Sequence, residues 1–162
     1  MLQFFRRFPA LPAATLLLFS ALALVPTAGA QTGAATAADK VKEEPPFSAY
    51  KGVRIGMTAE EARKLLGSPT EKDDKQDVYS FNENESCQVY YDATKKVSAV
   101  SITYFGGKAV PTAKAVLGDE VETRQDGSVY KLIRFPKAGY WVSYTRTSGD
   151  APMTIIAIQK LN

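Results

Sequence analysis

Residues 56–69 read GMTAEEARKLLGSP, and parts of this stretch and of the strand-like run after it recur later in the chain. Thr58 is a good helix N-cap, and Glu61, three residues on, can reach back to the cap's own amide, so residues 58–61 have the form of a capping box. Ala59, Ala62, Leu65 and Leu66 gather on one side of the expected helix and Glu60, Arg63 and Lys64 on the other. Gly67 suits the left-handed position that ends a helix, and Pro69 forbids continuation. Leu117-Gly118 repeats Leu66-Gly67, and Val129-Tyr130 repeats Val78-Tyr79, both 51 residues further on (67 to 118, 78 to 129). A chain that repeats a helix end and a strand start at one offset is expected to hold two copies of one unit.

Each copy supplies the same order of elements. After Pro69 a loop of mixed charge, residues 71–77, leads into three runs of strand character at 78–82, 87–92 and 97–105, separated by turn-rich segments of hairpin length. The second copy has Pro111 in its first helical turn and the apolar stripe Val110, Ala113, Val116 and Leu117. Strand runs at 128–135, 140–146 and 153–160 follow. Alternation predicts that Tyr79, Phe81, Val89, Tyr91, Val100 and Ile102, with Tyr130, Leu132, Val142, Tyr144, Ile156 and Ile158, face the helices. The expected fold is α+β: two helix-plus-antiparallel-meander repeats, residues 47–105 and 106–162, with helices packed on one face of a shared curved sheet.

The segments before residue 47 read differently. Arg6 and Arg7 precede the apolar run 13–25, and Ala28-Gly29-Ala30 has the small-x-small form of a signal-peptidase site, so residues 1–30 are expected to be a leader cleaved after Ala30. The run has thirteen residues, short of the roughly 20 that cross a bilayer, and no cysteine follows it to carry a lipid. Residues 31–46, alanine-rich and ending in two prolines, are expected to be a disordered tether. The mature chain is expected outside the cytoplasm, periplasmic or secreted, with no stable membrane anchor.

Charge and composition exclude several chemistries. Loss of two arginines with the leader lowers the formal charge from +3 to +1, which argues against nucleic acid or an anionic membrane surface as partner. There is no histidine, which removes imidazole-based triads and most zinc sites. Cys87 is the only cysteine and sits in an alternating run, where it reads as a small buried hydrophobe. Ser48 and Lys51 fit a Ser-x-x-Lys pattern that nothing else in the chain supports, and Glu60 and Glu61 serve the helix N-terminus. No catalytic residue, metal or cofactor is expected.

The sheet face away from the helices is expected to carry Ser80, Gln88, Tyr90, Ser101 and Thr103, with Lys131, Ile133, Trp141, Ser143 and Gln159. Aromatic side chains among small polar ones are the composition of recognition patches, so Trp141 and Tyr90 are the expected anchors of a protein partner and Gln88 and Lys131 its polar contacts.

Ile55-Gly56-Met57-Thr58, then Glu61, Leu65, Leu66-Gly67-Ser68-Pro69, the Val78-Tyr79 pair and the hairpin before Val97 resemble the SmpA/OmlA family of BamE-like proteins over about residues 50–105. That resemblance implies a role in assembling β-barrels in the bacterial outer membrane. The duplicated plan also looks like the β-lactamase-inhibitor-protein architecture, which implies binding without catalysis through the open sheet face and its loops. The reading is an exported, non-catalytic protein-interaction module of the bacterial cell envelope. A small-ligand or cell-wall binder, or an inhibitor-type protein, is the alternative, and the oligomeric state stays open.

Overall fold

The computed structural model of the protein describes residues 45–106 and 109–162. The expected leader and residues 31–44 of the expected tether lie outside the described residues. Among the described residues, no helix is long and apolar enough to cross a membrane.

Helix α1 (Ala59–Leu66) forms where its caps place it. The Glu61 N–H donates to Thr58 Oγ1 at 3.2 Å, and the Thr58 N–H donates to Glu61 Oε2 at 2.8 Å, closing the capping box. Helix α2 (Ala113–Leu117) starts two residues later than Pro111 suggests, because Thr112 is its cap and accepts from the Ala115 N–H at 3.1 Å. Gly118 ends it in the left-handed region, φ 75°.

The strands are β1 (Glu71–Lys72), β2 (Gln76–Asn82), β3 (Glu85–Tyr91), β4 (Val97–Tyr104), β5 (Val129–Phe135), β6 (Tyr140–Arg146) and β7 (Thr154–Lys160). They form one antiparallel sheet in the order β1-β2-β3-β4-β7-β6-β5. This overturns the expected α+β plan of two helix-plus-meander repeats with helices packed on the sheet. The domain is mostly β, and its helices, of eight and five residues, are too short to make a layer. Good caps specify where a helix begins and ends, but the apolar stripe decides how much it covers. In α1 only Ala59 and Ala62 are buried, and Leu65 is 49% exposed. The symmetry fails as well, since the charged segment 71–77 contains the extra strand β1.

Most of the core comes from one face of the sheet. At its centre β4 pairs with β7, setting Val100 opposite Ile158 and Ile102 opposite Ile156, and none of the four is exposed. Burying each contributes about 1.5–3 kcal/mol, so the seam is a main source of the domain's stability. Tyr50, Val53, Ala62, Val116 and Leu117 join the same core cluster.

Strand β5 sits one residue out of the expected alternation. Ile133 pairs with Val142 and Lys131 with Tyr144, both of them buried core residues, so the core side of β5 carries Val129, Lys131, Ile133 and Phe135. Tyr130 and Leu132, expected in the core, lie on the other face, and Tyr130 is 50% exposed. Tyr79 is buried at 2% while Tyr130, its counterpart at an offset of 51, faces solvent. A slip of one residue moves every side chain of a strand to the other face.

Candidate functional site

On the face opposite the core, strand pairing assigns the residues row by row. One row runs Gln76, Tyr90, Ala99, Gln159, Trp141, Arg134 from β2 across to β5. The next runs Val78, Gln88, Ser101, Ala157, Ser143, Leu132, and the third Ser80, Ser86, Thr103, Ile155, Thr145, Tyr130. All of these but Ser143 reach solvent, so the face is open. Three rows of six positions hold a single formal charge, Arg134.

Size varies across the rows in an ordered way. The central strands β4 and β7 contribute Ala99, Ser101, Thr103 and Ala157 together with the longer Gln159 and Ile155, whereas Tyr90, Trp141, Leu132 and Tyr130 stand on the strands to either side. Short side chains between tall ones leave a trough. A depression of about 790 Å³ lies on the Tyr90 side of it, lined by Tyr90, Ala99, Ser101, Ala157 and Gln159 and, at its end, by the charged Asp92 and Lys160, with Trp141 outside it. One end is shaped by a bulge: Tyr90 pairs with Ala99 but Tyr91 with Val97, and the Ser98 hydroxyl donates to the Tyr90 carbonyl at 3.2 Å. Bulges bend a strand and re-aim its side chains.

Of the four expected contact residues, three share this face. Tyr90 and Trp141 are in one row three strands apart, roughly 14 Å at the usual strand spacing. Both are half-buried. Gln88 is in the adjoining row, and its Oε1 accepts a hydrogen bond from the Tyr90 hydroxyl, which fixes the ring's tip. Lys131 is not among them, since it lies on the core side of β5 at an exposed edge. Leu132, Arg134 and Tyr130 take that end of the face. The pattern Val129, Ile133, Phe135 could have located them, because these three alternate once Lys131 is read as an edge residue on the apolar side.

A second cluster lies beneath α1. Asp77 has no exposure, and both its carboxylate oxygens accept from Arg63, Nε to Oδ2 at 2.7 Å and Nη2 to Oδ1 at 3.0 Å. The Tyr91 hydroxyl donates to Oδ2 at 2.6 Å and the Tyr79 hydroxyl at 3.4 Å. The guanidinium also stands 5.6 Å from the Tyr91 ring centroid. Expected from its sequence context to belong to a solvated connection, Asp77 instead clamps α1 to β2 and β3. Arg63 and Tyr91 help to line a depression of about 770 Å³ with Lys72, Asp74 and Lys95.

The electrostatics of this cluster keep its groups in fixed protonation states. Burial pushes the Asp77 carboxyl up, but the hydrogen bonds from Arg63 and Tyr91 and the charge of Arg63 outweigh it and hold the group below the usual carboxylate range. Burial and then Asp77 raise both tyrosines, Tyr79 to about 12 and Tyr91 further still. Cys87 is raised to about 12 by burial and then by Glu85, so the thiol stays protonated. A general acid or base working near neutrality needs a pKa tuned toward it. Every one of these shifts runs the other way.

Comparison of the chain with protein-family models, with characterised proteins and with solved structures gave no match in any of the three.

Proposed function

We propose that this chain is an exported, non-catalytic protein-interaction module of the bacterial cell envelope that binds its partner in the trough of the open sheet face. The observation that carries the reading is the composition of that face: eighteen positions with one charge, aromatic anchors at Tyr90, Trp141 and Tyr130, and a floor of Ala and Ser. Interface centres are depleted in charge and enriched in Trp, Tyr and Arg, and truncating such anchors typically costs more than about 2 kcal/mol of binding. The leader-like segment 1–30 and the BamE-like features of residues 55–69 support the envelope setting. Asp77, Tyr79, Tyr91 and Cys87, whose shifts all run away from neutrality, lie on the core side and are buried, which supports binding over catalysis.

The test is capture from envelope extract by the wild type, by a Tyr90→Ala/Trp141→Ala variant and by a Lys131→Ala variant. Partners held by the wild type and Lys131→Ala but lost by the double variant are the expected result. Equal recovery by all three would remove the open face from consideration. A cell-wall binder is the second reading, favoured by the two rings flanking Gln159 and Gln88 in the manner of a stacking platform. Stabilisation by peptidoglycan fragments in a thermal-shift screen, with no captured protein, would put it first.

A further inference from the structure

The two edges of the sheet are built differently. At one end β1 has two residues, Glu71 and Lys72, and Thr70 and Asp73 tie the neighbouring backbone back to β2. This is a short, charged, blunted edge of the kind that resists further pairing. At the other end β5 runs for seven residues, VYKLIRF, and among the described residues no backbone group of residues 130–134 bonds to any segment other than β6. A strand of this length leaves a row of donors and acceptors free for another strand.

We infer that β5 pairs antiparallel with β5 of a second copy of this chain, about a two-fold axis through Leu132, to make one continuous sheet. The occupant follows from the strand's own side chains. With Leu132 opposite Leu132 of the second copy, Tyr130 faces Arg134, Lys131 faces Ile133 and Val129 faces Phe135, and each pair lies on one side of the sheet. Two ring-to-guanidinium pairs and two apolar pairs form, with no like charges directly opposite. Centring the axis on Lys131 instead sets Lys131 against Lys131, and centring it on Ile133 sets Lys131 against Phe135 and runs Pro136, which has no N–H, into the ladder. The Leu132 register is the one that pairs all seven residues of β5, with neither like charges opposite nor Pro136 in the ladder. The pairing extends the open face across the axis, bringing Leu132 of both copies side by side with a Tyr130–Arg134 pair on either side of them, and doubling the binding surface. One strand pair is smaller than the interfaces of stable dimers, so the association is reversible and concentration-dependent. The two Lys131 side chains lie diagonally across the axis, and screening of their repulsion makes dimerisation stronger at higher salt.

Sedimentation velocity over a range of protein concentrations, at low and high salt, reads the association. Tyr130 is exposed, so its replacement leaves the core intact. Tyr130→Lys puts like charge opposite Arg134 twice per dimer and is expected to weaken association about three- to tenfold. Adding Arg134→Glu leaves the chain one charge unit below the wild type and sets the new lysine and the new glutamate as opposite charges across the axis, so the double variant should dimerise at least as well as the wild type. Leu132→Cys should give a disulfide-linked dimer on mild oxidation, since Cys87 is buried and cannot substitute for it. A chain that stays monomeric at every concentration and salt, or a dimer indifferent to Tyr130→Lys, overturns the inference. A monomer that instead captures an acidic extended segment of another protein, with affinity falling as salt rises, assigns the edge to a different occupant and overturns it equally.

Discussion

Replacing Asp77 by Asn removes one charge from the clamp beneath α1 without changing its volume, so the loss can be worked from the contacts. Asp77 is wholly buried and the Arg63 side chain is 24% exposed. Removing one partner of a fully buried pair costs about 3–5 kcal/mol. Here the guanidinium can turn toward water in the depression beside it, and the new amide oxygen can still accept from Tyr91, so the expected cost is about 2–3 kcal/mol. For a domain of this size that corresponds to a Tm lowered by roughly 8–12 °C. Urea unfolding followed by the fluorescence of Trp141, the only tryptophan, measures it directly.

The same carboxylate sets a pH dependence. Its folded pKa lies below the unfolded value, so its stabilisation is fully present above about pH 4–5 and is lost as pH falls through the depressed folded value. The wild type should therefore lose stability steeply on acidification, and Asp77→Asn should lose less over the same window. Joint apolar replacement, Arg63→Met, Asp77→Leu, Tyr79→Phe and Tyr91→Phe, should recover most of the loss, because none of the hydroxyls that donate to Asp77 is then left without a partner. An Asp77→Asn protein within about 0.5 kcal/mol of the wild type, with an unchanged acid limb, would refute the assignment of this cluster as the clamp that holds α1.

The packing sets three further outcomes. Ile158→Ala, at the fully buried seam between β4 and β7, should cost about 2–5 kcal/mol in the same unfolding assay. Thr58→Ala, which removes the cap of α1, should cost about 1 kcal/mol and raise amide exchange in the first turn without changing the sheet. Cys87, buried and with its thiol pushed up to about 12, should resist alkylation in the folded protein at mildly alkaline pH and react once urea unfolds it, which mass spectrometry reads.

Local chemistry is legible in this sequence and register is not. Thr58 and Glu61 announce a capping box, and the turn-rich breaks place β3, β4, β6 and β7 to within a residue or two, because both signals are confined to a few neighbouring residues. The helices carry less weight than their caps suggest for the same reason. A cap reports an end, and nothing local reports that α1 buries two alanines and leaves Leu65 in solvent. Asp77 is hidden because a charged run usually means a solvated loop, and its partner Arg63 lies fourteen residues away on another element. The slip in β5 is the most consequential difference, since it exchanges Lys131 for Tyr130 and Leu132 on the open face. Matching Val129-Tyr130 to Val78-Tyr79 assumes that an offset repeated in sequence preserves the face. Pairing decides the face instead: Val78 lies opposite Gln88 on the open side, whereas Val129 lies opposite Arg146 with its side chain buried. What fixes β5 is its far end, where Phe135, fully buried before the turn at Pro136, locks the strand's alternation by two-residue steps back through Ile133 to Val129. A Phe135→Ala variant should accordingly lower stability by about 3–5 kcal/mol and also loosen β5, seen as amide exchange rising along residues 129–134 ahead of the β4–β7 seam. Exchange rising equally throughout the sheet would mean that β5 takes its register from the pairing with β6 alone.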